Sequence, residues 1–259
     1  MTTKTSGTWT LAWHIVVRNW AVYKKDFIAN VSPTVADPAL TLFALGLGLS
    51  PFIQQVEGLS YAAYLAPGLV ATTAFFTAYF ETSYGFYVRM TFESVFKAML
   101  TTPIGVKEII LGEFLWVFLK GTLMAAGVGL VLALLGLVPN WESLFVVPFL
   151  GGWLALPMGA LGLVASGYVR NMNQFQTVYS FLIAPMYFLS GVFFPLSGRP
   201  IVEKIMWVSP FTHGVSLLQM AMWGRYEAKP FLLHAGAMAA FTLVLGFWAY
   251  RRMRTKLIA

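Results

Sequence analysis

The stretch YFLSGVFFPLSGRP, residues 187–200, closes a long apolar run with Ser190 and Gly191 and then sets two prolines, Pro195 and Pro200, within six residues. Gly191 weakens a helix and Pro195 cannot continue one, so a membrane span is predicted to stop here. The chain resumes as IVEKIMWVSPF, apolar again but too short to cross a bilayer. Before the next full-length apolar run, at Phe231, there is room for two short helices, 201–208 and 211–223, separated by Ser209-Pro210. Both are too apolar for water. A helical hairpin over residues 195–223, dipping into the outer leaflet and returning, satisfies both constraints, because backbone at that depth is tolerated only where protein or a water-filled cavity covers it. A loose extracellular amphipathic loop is the competing reading.

Outward from this break the whole chain reads as membrane protein. Of its 259 residues, 58% are hydrophobic and 10% charged, against about 25% charged in soluble domains; the mean hydropathy is +0.72. The absence of cysteine excludes disulfides, thiolate metal sites and thiol nucleophiles, and no metal site is expected. The net charge of +7 is clustered only at Arg251, Arg252, Arg254 and Lys256. Bases flanking apolar runs signal membrane orientation rather than nucleic-acid binding. The opening MTTKTSGTW lacks the charge and cleavage site of a secretory leader, and none is expected.

Six runs approach the roughly 20 residues needed to cross the hydrocarbon: 33–53, 62–87, 114–138, 144–169, 176–194 and 231–250. The prediction is an all-α integral membrane protein, one domain over 1–259. Ser32-Pro33 reads as an N-cap and first-turn proline, with Pro38 kinking the first span. Lys4, Arg18, Lys24 and Lys25 precede that span. Arg89, Lys97 and Lys107 follow the second, and Arg170 follows the fourth, whereas the connections SPFIQQVEGLS and PNWES carry no base. Both termini are therefore expected in the cytoplasm. The outer segment is the exception, with Arg199, Lys204, Arg225 and Lys229 beside Glu203 and Glu227.

Within 8–28, Trp9, Trp13, Val16, Trp20, Tyr23 and Phe27 recur at spacings of four and three, with His14, Arg18 and Lys25 on another face. That pattern predicts an interfacial amphipathic helix; a soluble helix packed on a partner is the alternative. The third span repeats Gly121, Ala125, Gly129 and Ala133, and the fourth answers with Gly151, Ala155 and Gly159. These small stripes are read as close antiparallel packing. In 91–103, Phe92, Val95, Phe96, Met99 and Leu100 make an apolar face beside an i,i+4 pair of Glu93 and Lys97, and Thr101-Thr102-Pro103 stops the helix. Such a helix suits insertion into a groove on a partner.

The order of these features, with DPALTLFALGLG in the first span, YAAYLAPGLV in the second and TFESVFKAMLTTPIGVKEIILGE after it, resembles the permeases of ABC type-2 exporters. It looks most like nodulation lipo-oligosaccharide exporter permeases and related polysaccharide and drug exporters, over nearly the whole chain. The resemblance implies that 91–103 is a coupling helix, with Phe92, Glu93, Phe96, Lys97, Met99, Leu100, Thr101 and Pro103 meeting an ATPase. It implies a dimer of permease protomers, a homodimer by expectation, with two ATPase copies, in the cytoplasmic (inner) membrane among its lipids. The second and fifth spans then line the path of an amphiphilic substrate, where Phe76, Tyr79, Phe80, Tyr179 and Phe188 are the candidate wall. Ser190, Gly191, Pro195 and Pro210 would shape the outer gate. No GxxxxGK[ST] motif is present, so no cofactor is expected on this chain, and ATP and Mg would bind the partner.

Intramembrane ionisable groups are functional candidates by default. Asp37, Glu81 and Arg89 lie near span ends and are read as bracing a cytoplasmic gate or contacting substrate. Lys120, seven residues past Glu113 on the same face, is read as snorkelling outward. His234 shows no acidic neighbour in sequence. Two other classes remain. A membrane-embedded lipid- or glycan-modifying enzyme would need convergent acids, histidines or metal ligands, and three scattered histidines do not supply them. An ion-coupled secondary carrier would show inverted repeats or paired mid-membrane charges, and neither is visible in the sequence.

Overall fold

The computed structural model describes residues 7–53, 55–138, 142–196, 198 and 200–258. Lys4, residues 139–141 of the PNWES turn, and Arg199 lie outside them. Every regular element among the described residues is helical. In chain order they are α1 (Thr8–Tyr23), α2 (Phe27–Thr41), α3 (Tyr61–Phe80), α4 (Phe86–Thr91), α5 (Val95–Leu100) and α6 (Val106–Leu134). Then come α7 (Ser143–Tyr168), α8 (Asn173–Val178), α9 (Ala184–Phe188), α10 (Pro200–Met206), α11 (Pro210–Trp223) and α12 (Ala228–Ile258). Three π-helical segments interrupt this order: Leu42–Leu47 extends α2, Glu81–Gly85 joins α3 to α4, and Tyr179–Ile183 joins α8 to α9.

Five helical runs among the described residues are long and apolar enough to cross a membrane: Thr8–Gly46, Tyr61–Thr91, Val106–Leu134, Ser143–Tyr168 and Ala228–Ile258. The fifth predicted span, 176–194, is instead a helical run over 173–188, about 24 Å at 1.5 Å per residue. The helix ends before Pro195. Leu189 leaves the helical region and Gly191 takes φ +90°, so the glycine, not the proline, turns the chain. The first predicted span also starts earlier. Helix α2 begins at Phe27, after a break at Asp26 (φ −119°, ψ 42°), and holds Pro33 and Pro38 in its interior rather than Pro33 in its first turn.

Helices α6 and α7 pack as their small residues require: a Cβ on Gly121 would lie 2.6 Å from that of Ala155, and one on Gly151 would collide with Ala125. The short pieces of the break form where the sequence places them. Pro210 occupies the first turn of α11, which is buried against α3, α7 and α12, with Phe211 on Phe75 at 4.2 Å and Leu154 filling the space beside Gly214. A loose loop is not what the chain forms over α11. By contrast Ile201, Ile205 and Val208 of and after α10 stay exposed. The turn at Gly191 is stitched to the start of α3 and to α11: Tyr64 Oη and Gln219 Nε2 both donate to Gly191 O, at 2.8 and 3.2 Å, and Tyr61 Oη donates to Phe193 O at 3.2 Å.

Helix α1 lies along α6, and Ile15 fills the space left by Gly112. The predicted aromatic stripe splits. Val16 and Tyr23 turn inward with Ala12, Ile15 and Asn19, while Trp9, Trp13, Trp20 and Phe27 remain exposed.

Candidate functional site

A cavity of about 550 Å³ lies between α2, α3, the π turns after α3 and α8, and the middle of α6. One wall is aromatic. Phe76 stacks on Phe80 at 5.7 Å and meets Tyr179 at 6.2 Å and Tyr187 at 5.2 Å. Another is hydroxylic, from Thr72, Thr73 and Thr77 of α3, while Glu81 and Lys120 supply the charged end and Asp37 and Pro38 the α2 side. The Thr72 and Thr73 hydroxyls donate to Gly68 O and Leu69 O of their own helix, which leaves their oxygens as acceptors. Rings for apolar or sugar faces, hydroxyls and one ammonium make a lining suited to an amphiphile.

Beside the cavity four charges pair completely. Arg89 donates to Glu81 Oε1 and to Glu113 Oε2, each at 2.6 Å, and Lys120 Nζ donates to Glu81 Oε2 at 2.6 Å. Asn19 Nδ2 donates to the other Glu113 oxygen at 3.2 Å, and Lys120 lies 5.0 Å from the Tyr23 ring centroid. The π turn makes this possible. Eight residues along a regular helix rotate a side chain by about 80°, whereas one residue absorbed by a wider turn brings Glu81 and Arg89 to within roughly 20° of one face. The displaced backbone is satisfied from α7: Ser166 Oγ lies 2.8 Å from Thr82 O and 2.9 Å from Ser83 O, and Gly162 gives α7 room to approach, since a Cβ there would fall 2.8 Å from Tyr79 O.

Of the predicted wall residues, Phe76, Phe80 and Tyr179 line the cavity. Tyr79 does not. It is 0% exposed within the core, and its hydroxyl has no hydrogen-bond partner. Phe188 also lies outside, half exposed and stacked on Phe193 at 5.8 Å. Tyr187 completes the wall unpredicted. Of the predicted gate residues, Glu81 and Arg89 pair, while Asp37 lines the cavity without an ion pair among the described residues. Lys120 does not snorkel; its ammonium is spent on Glu81. The sequence shows no paired charges at mid-membrane; the pairs that form join the π turn after α3 to α4 and α6.

The helix in 91–103 is shorter than predicted. Ser94 takes φ +54° and α5 starts only at Val95, so Glu93 and Lys97 do not share a helix and form no ion pair. Phe96 is 1% exposed and stacks on Phe86 at 4.4 Å, which removes it from any docking face. Met99 and Leu100 pack partly against the same cluster. Phe92, at 66% exposure, Lys97, Thr101 and Pro103 remain open. Ser190 is buried and donates to Tyr187 O at 2.7 Å. His213 Nδ1 lies 2.8 Å from His234 Nδ1, and His213 Nε2 lies 2.9 Å from Trp207 O, so His234 has a partner that its own helix does not reveal.

The model of the ABC-2 type transporter family matches residues 10–223. "Nodulation protein J" of Rhizobium leguminosarum bv. viciae is 33% identical over 237 residues, covering 91% of this chain and 90% of its own. The protein of the same name from Rhizobium meliloti (strain 1021) is 30% identical, with coverage of 96% and 94%. "Inner membrane transport permease YadH" of Escherichia coli (strain K12) is 24% identical over 80% of this chain and 78% of its own. No solved structure matches.

Proposed function

The chain belongs to the ABC-2 type transporter family, and from that premise we propose that it is the membrane subunit of an ATP-driven exporter that moves an amphiphile out of the cytoplasm or the inner leaflet. The carrying observation is the 550 Å³ cavity, whose aromatic and hydroxyl walls suit an acyl chain or sugar face and whose far end is charged. A lipo-oligosaccharide is the preferred substrate, in keeping with the relatives named for nodulation; lipid-linked glycans and hydrophobic drugs share the required chemistry.

In this reading the chain crosses the membrane six times, the 173–188 run included, with both ends in the cytoplasm. Two protomers, in a homodimer, pair with two copies of a separate ATPase, which binds ATP and Mg because this chain has no phosphate loop. The open edge at Phe92, Lys97, Thr101 and Pro103 receives that ATPase. Movement there passes through α4 to the Glu81–Arg89–Glu113–Lys120 cluster at the cytoplasmic end of the cavity. Residues 195–223 close the outer end as a re-entrant hairpin, with Gly191 as its turn.

The paired charges favour a second reading, an ion-coupled carrier. Within the cluster two acids are matched by two bases, so Asp37, which lines the cavity without an ion pair among the described residues, is the carboxylate such a carrier would have to protonate. Vesicle transport decides between them. ATP-dependent, vanadate-sensitive uptake with a co-purifying ATPase supports the exporter, and transport by the purified chain alone under an ion gradient overturns it.

A further inference from the structure

Helix α12 has 31 residues, about 46 Å at 1.5 Å per residue, against roughly 30 Å of hydrocarbon. Its apolar part ends at Tyr250, so Arg251, Arg252, Arg254 and Lys256 emerge at headgroup depth. Two of these cations also build a site. Arg252 Nε donates to Gly167 O at 3.0 Å, and Lys256 Nζ donates to Ser166 O and Val169 O at 2.7 and 2.9 Å. They thereby close the carbonyl end of α7 and hold open a cleft of about 500 Å³ between α4, the end of α7 and α12.

The cleft gathers Arg170, Arg252 and Lys256 with the hydroxyls of Thr91 and Thr255, and among the described residues no carboxylate lines it. The Arg252 guanidinium sits 4.4 Å from the Tyr168 ring centroid, and its one hydrogen bond among the described residues uses Nε, which leaves both Nη groups for an anion. Thr255 is shared with a second groove along the outer face of α12 that adds Arg251 and Arg254, again without an acid. Above the cations the surface changes character. Trp248 is half exposed, its Nε1 donates to Tyr168 Oη at 3.1 Å, and Val244 and Leu243 continue an exposed apolar ridge. Cations below, an indole at the boundary and an apolar ridge above match the profile of an anionic lipid.

We infer that the cleft between the ends of α4, α7 and α12 binds the phosphate headgroup of an anionic inner-leaflet phospholipid, with Arg170 and Arg252 on the phosphate and the acyl chains along Trp248 and Val244. The site is separate from the transport cavity and rests on the cytoplasmic placement of the C-terminus proposed above.

The full chain, purified in detergent, is titrated with phosphatidylglycerol or phosphatidylcholine and bound lipid is counted by native mass spectrometry. Phosphatidylglycerol is retained at least tenfold better, and each cation removed lowers that preference on the order of fivefold. Arg170→Gln with Arg254→Gln leaves the α7 carbonyl contacts intact, and Arg252→Gln tests the guanidinium over Tyr168. Equal retention of the two lipids, or an unchanged preference in both variants, overturns the inference. So does competition by glycerol 3-phosphate at the concentration at which the lipid binds, which marks a site for a soluble anion. Labelling of Ala259→Cys by an impermeant maleimide reports the orientation separately, because labelling from the outer side overturns the topology whatever the lipid result.

Discussion

Glu81 is the shared acceptor of the buried cluster, and its loss should be the most damaging single change there. Its two oxygens hold Arg89 and Lys120 at 2.6 Å, with the side chains of all three 12–16% exposed. In Glu81→Ala, Lys120 loses the one carboxylate it pairs with among the described residues and Arg89 keeps Glu113, so one buried positive charge is uncompensated. Removing one partner of a buried pair costs about 3–5 kcal/mol, which at about 2–4 °C per kcal/mol for a chain of this size lowers Tm by roughly 6–20 °C. Lys120→Ala is milder, about 1–3 kcal/mol, because Glu81 keeps Arg89. In the double variant Arg89 and Glu113 remain a balanced pair, so it should melt above Glu81→Ala, which requires a coupling larger than the cost of Lys120→Ala alone, about 3 kcal/mol. Thermal unfolding of the detergent-solubilised chain, followed by intrinsic fluorescence, measures all three. A double variant that melts at or below Glu81→Ala refutes the charge-balance argument. A Glu81→Ala variant that melts within about 2 °C of the parent refutes the pairing itself.

Phe96→Ala empties a core position and should cost about 3–5 kcal/mol, read as a lower Tm. Phe92→Asp, on the open edge, should leave Tm unchanged while abolishing co-purification of the ATPase, and the reverse pattern would place the docking face on Phe96. Gly191→Ala forces a side chain to φ +90° and strains the joint that holds Tyr64 and Gln219, for a loss of about 1–2 kcal/mol; an unchanged Tm would show that this turn is not constrained. Tyr179→Ala should lower vesicle transport at unchanged Tm, whereas Tyr79→Phe, which removes a hydroxyl that has no partner, should change neither; loss of transport in Tyr79→Phe would return that residue to the pathway.

What the sequence made legible is what local rules decide. Pro/Gly punctuation located the two short helices after Gly191 and the 144–169 run to within about two residues, whereas 114–138 and 231–250 mark only the apolar parts of α6 and α12, which extend eight residues further at one end; the spacing of Gly121, Ala125, Gly151 and Ala155 anticipated the α6–α7 contact. The failures share a cause: a periodic pattern shows that a face is apolar, not what covers it. Phe96 and Phe92 belong to one predicted face, yet only the left-handed turn at Ser94 decides that Phe96 enters the core and Phe92 does not. The tryptophan stripe divides for the same reason. Lys120 read as snorkelling because its own helix offers only Glu113, whereas its acceptor lies on another helix, thirty-nine positions away. Eight-residue spacing hid the Glu81–Arg89 pair, since a regular helix would turn those side chains apart.

The π turns give this concealed part of the site a common basis. All three described ones, Leu42–Leu47, Glu81–Gly85 and Tyr179–Ile183, belong to the helical runs that wall the cavity from α2, α3 and α8, whereas the long packing helices α7 and α12 contain none. A wide turn gives up regular hydrogen bonding, so it persists only where other contacts hold it. At Glu81–Gly85 those contacts are identifiable: the Ser166 hydroxyl takes up the displaced carbonyls, Gly162 gives α7 access, and Arg89 bridges back over the turn to Glu81. If the segment tightened to a regular α-helix, everything after it would rotate by about 100° and Arg89 would leave Glu81. The ion cluster and the wide turn therefore stabilise each other, and the end of the cavity that carries its charges is also where the wall can change register. The cluster joins the cavity wall to α4, which leads to the open edge at Phe92, and in the proposed exporter that is where a push from an ATPase would have its mechanical effect.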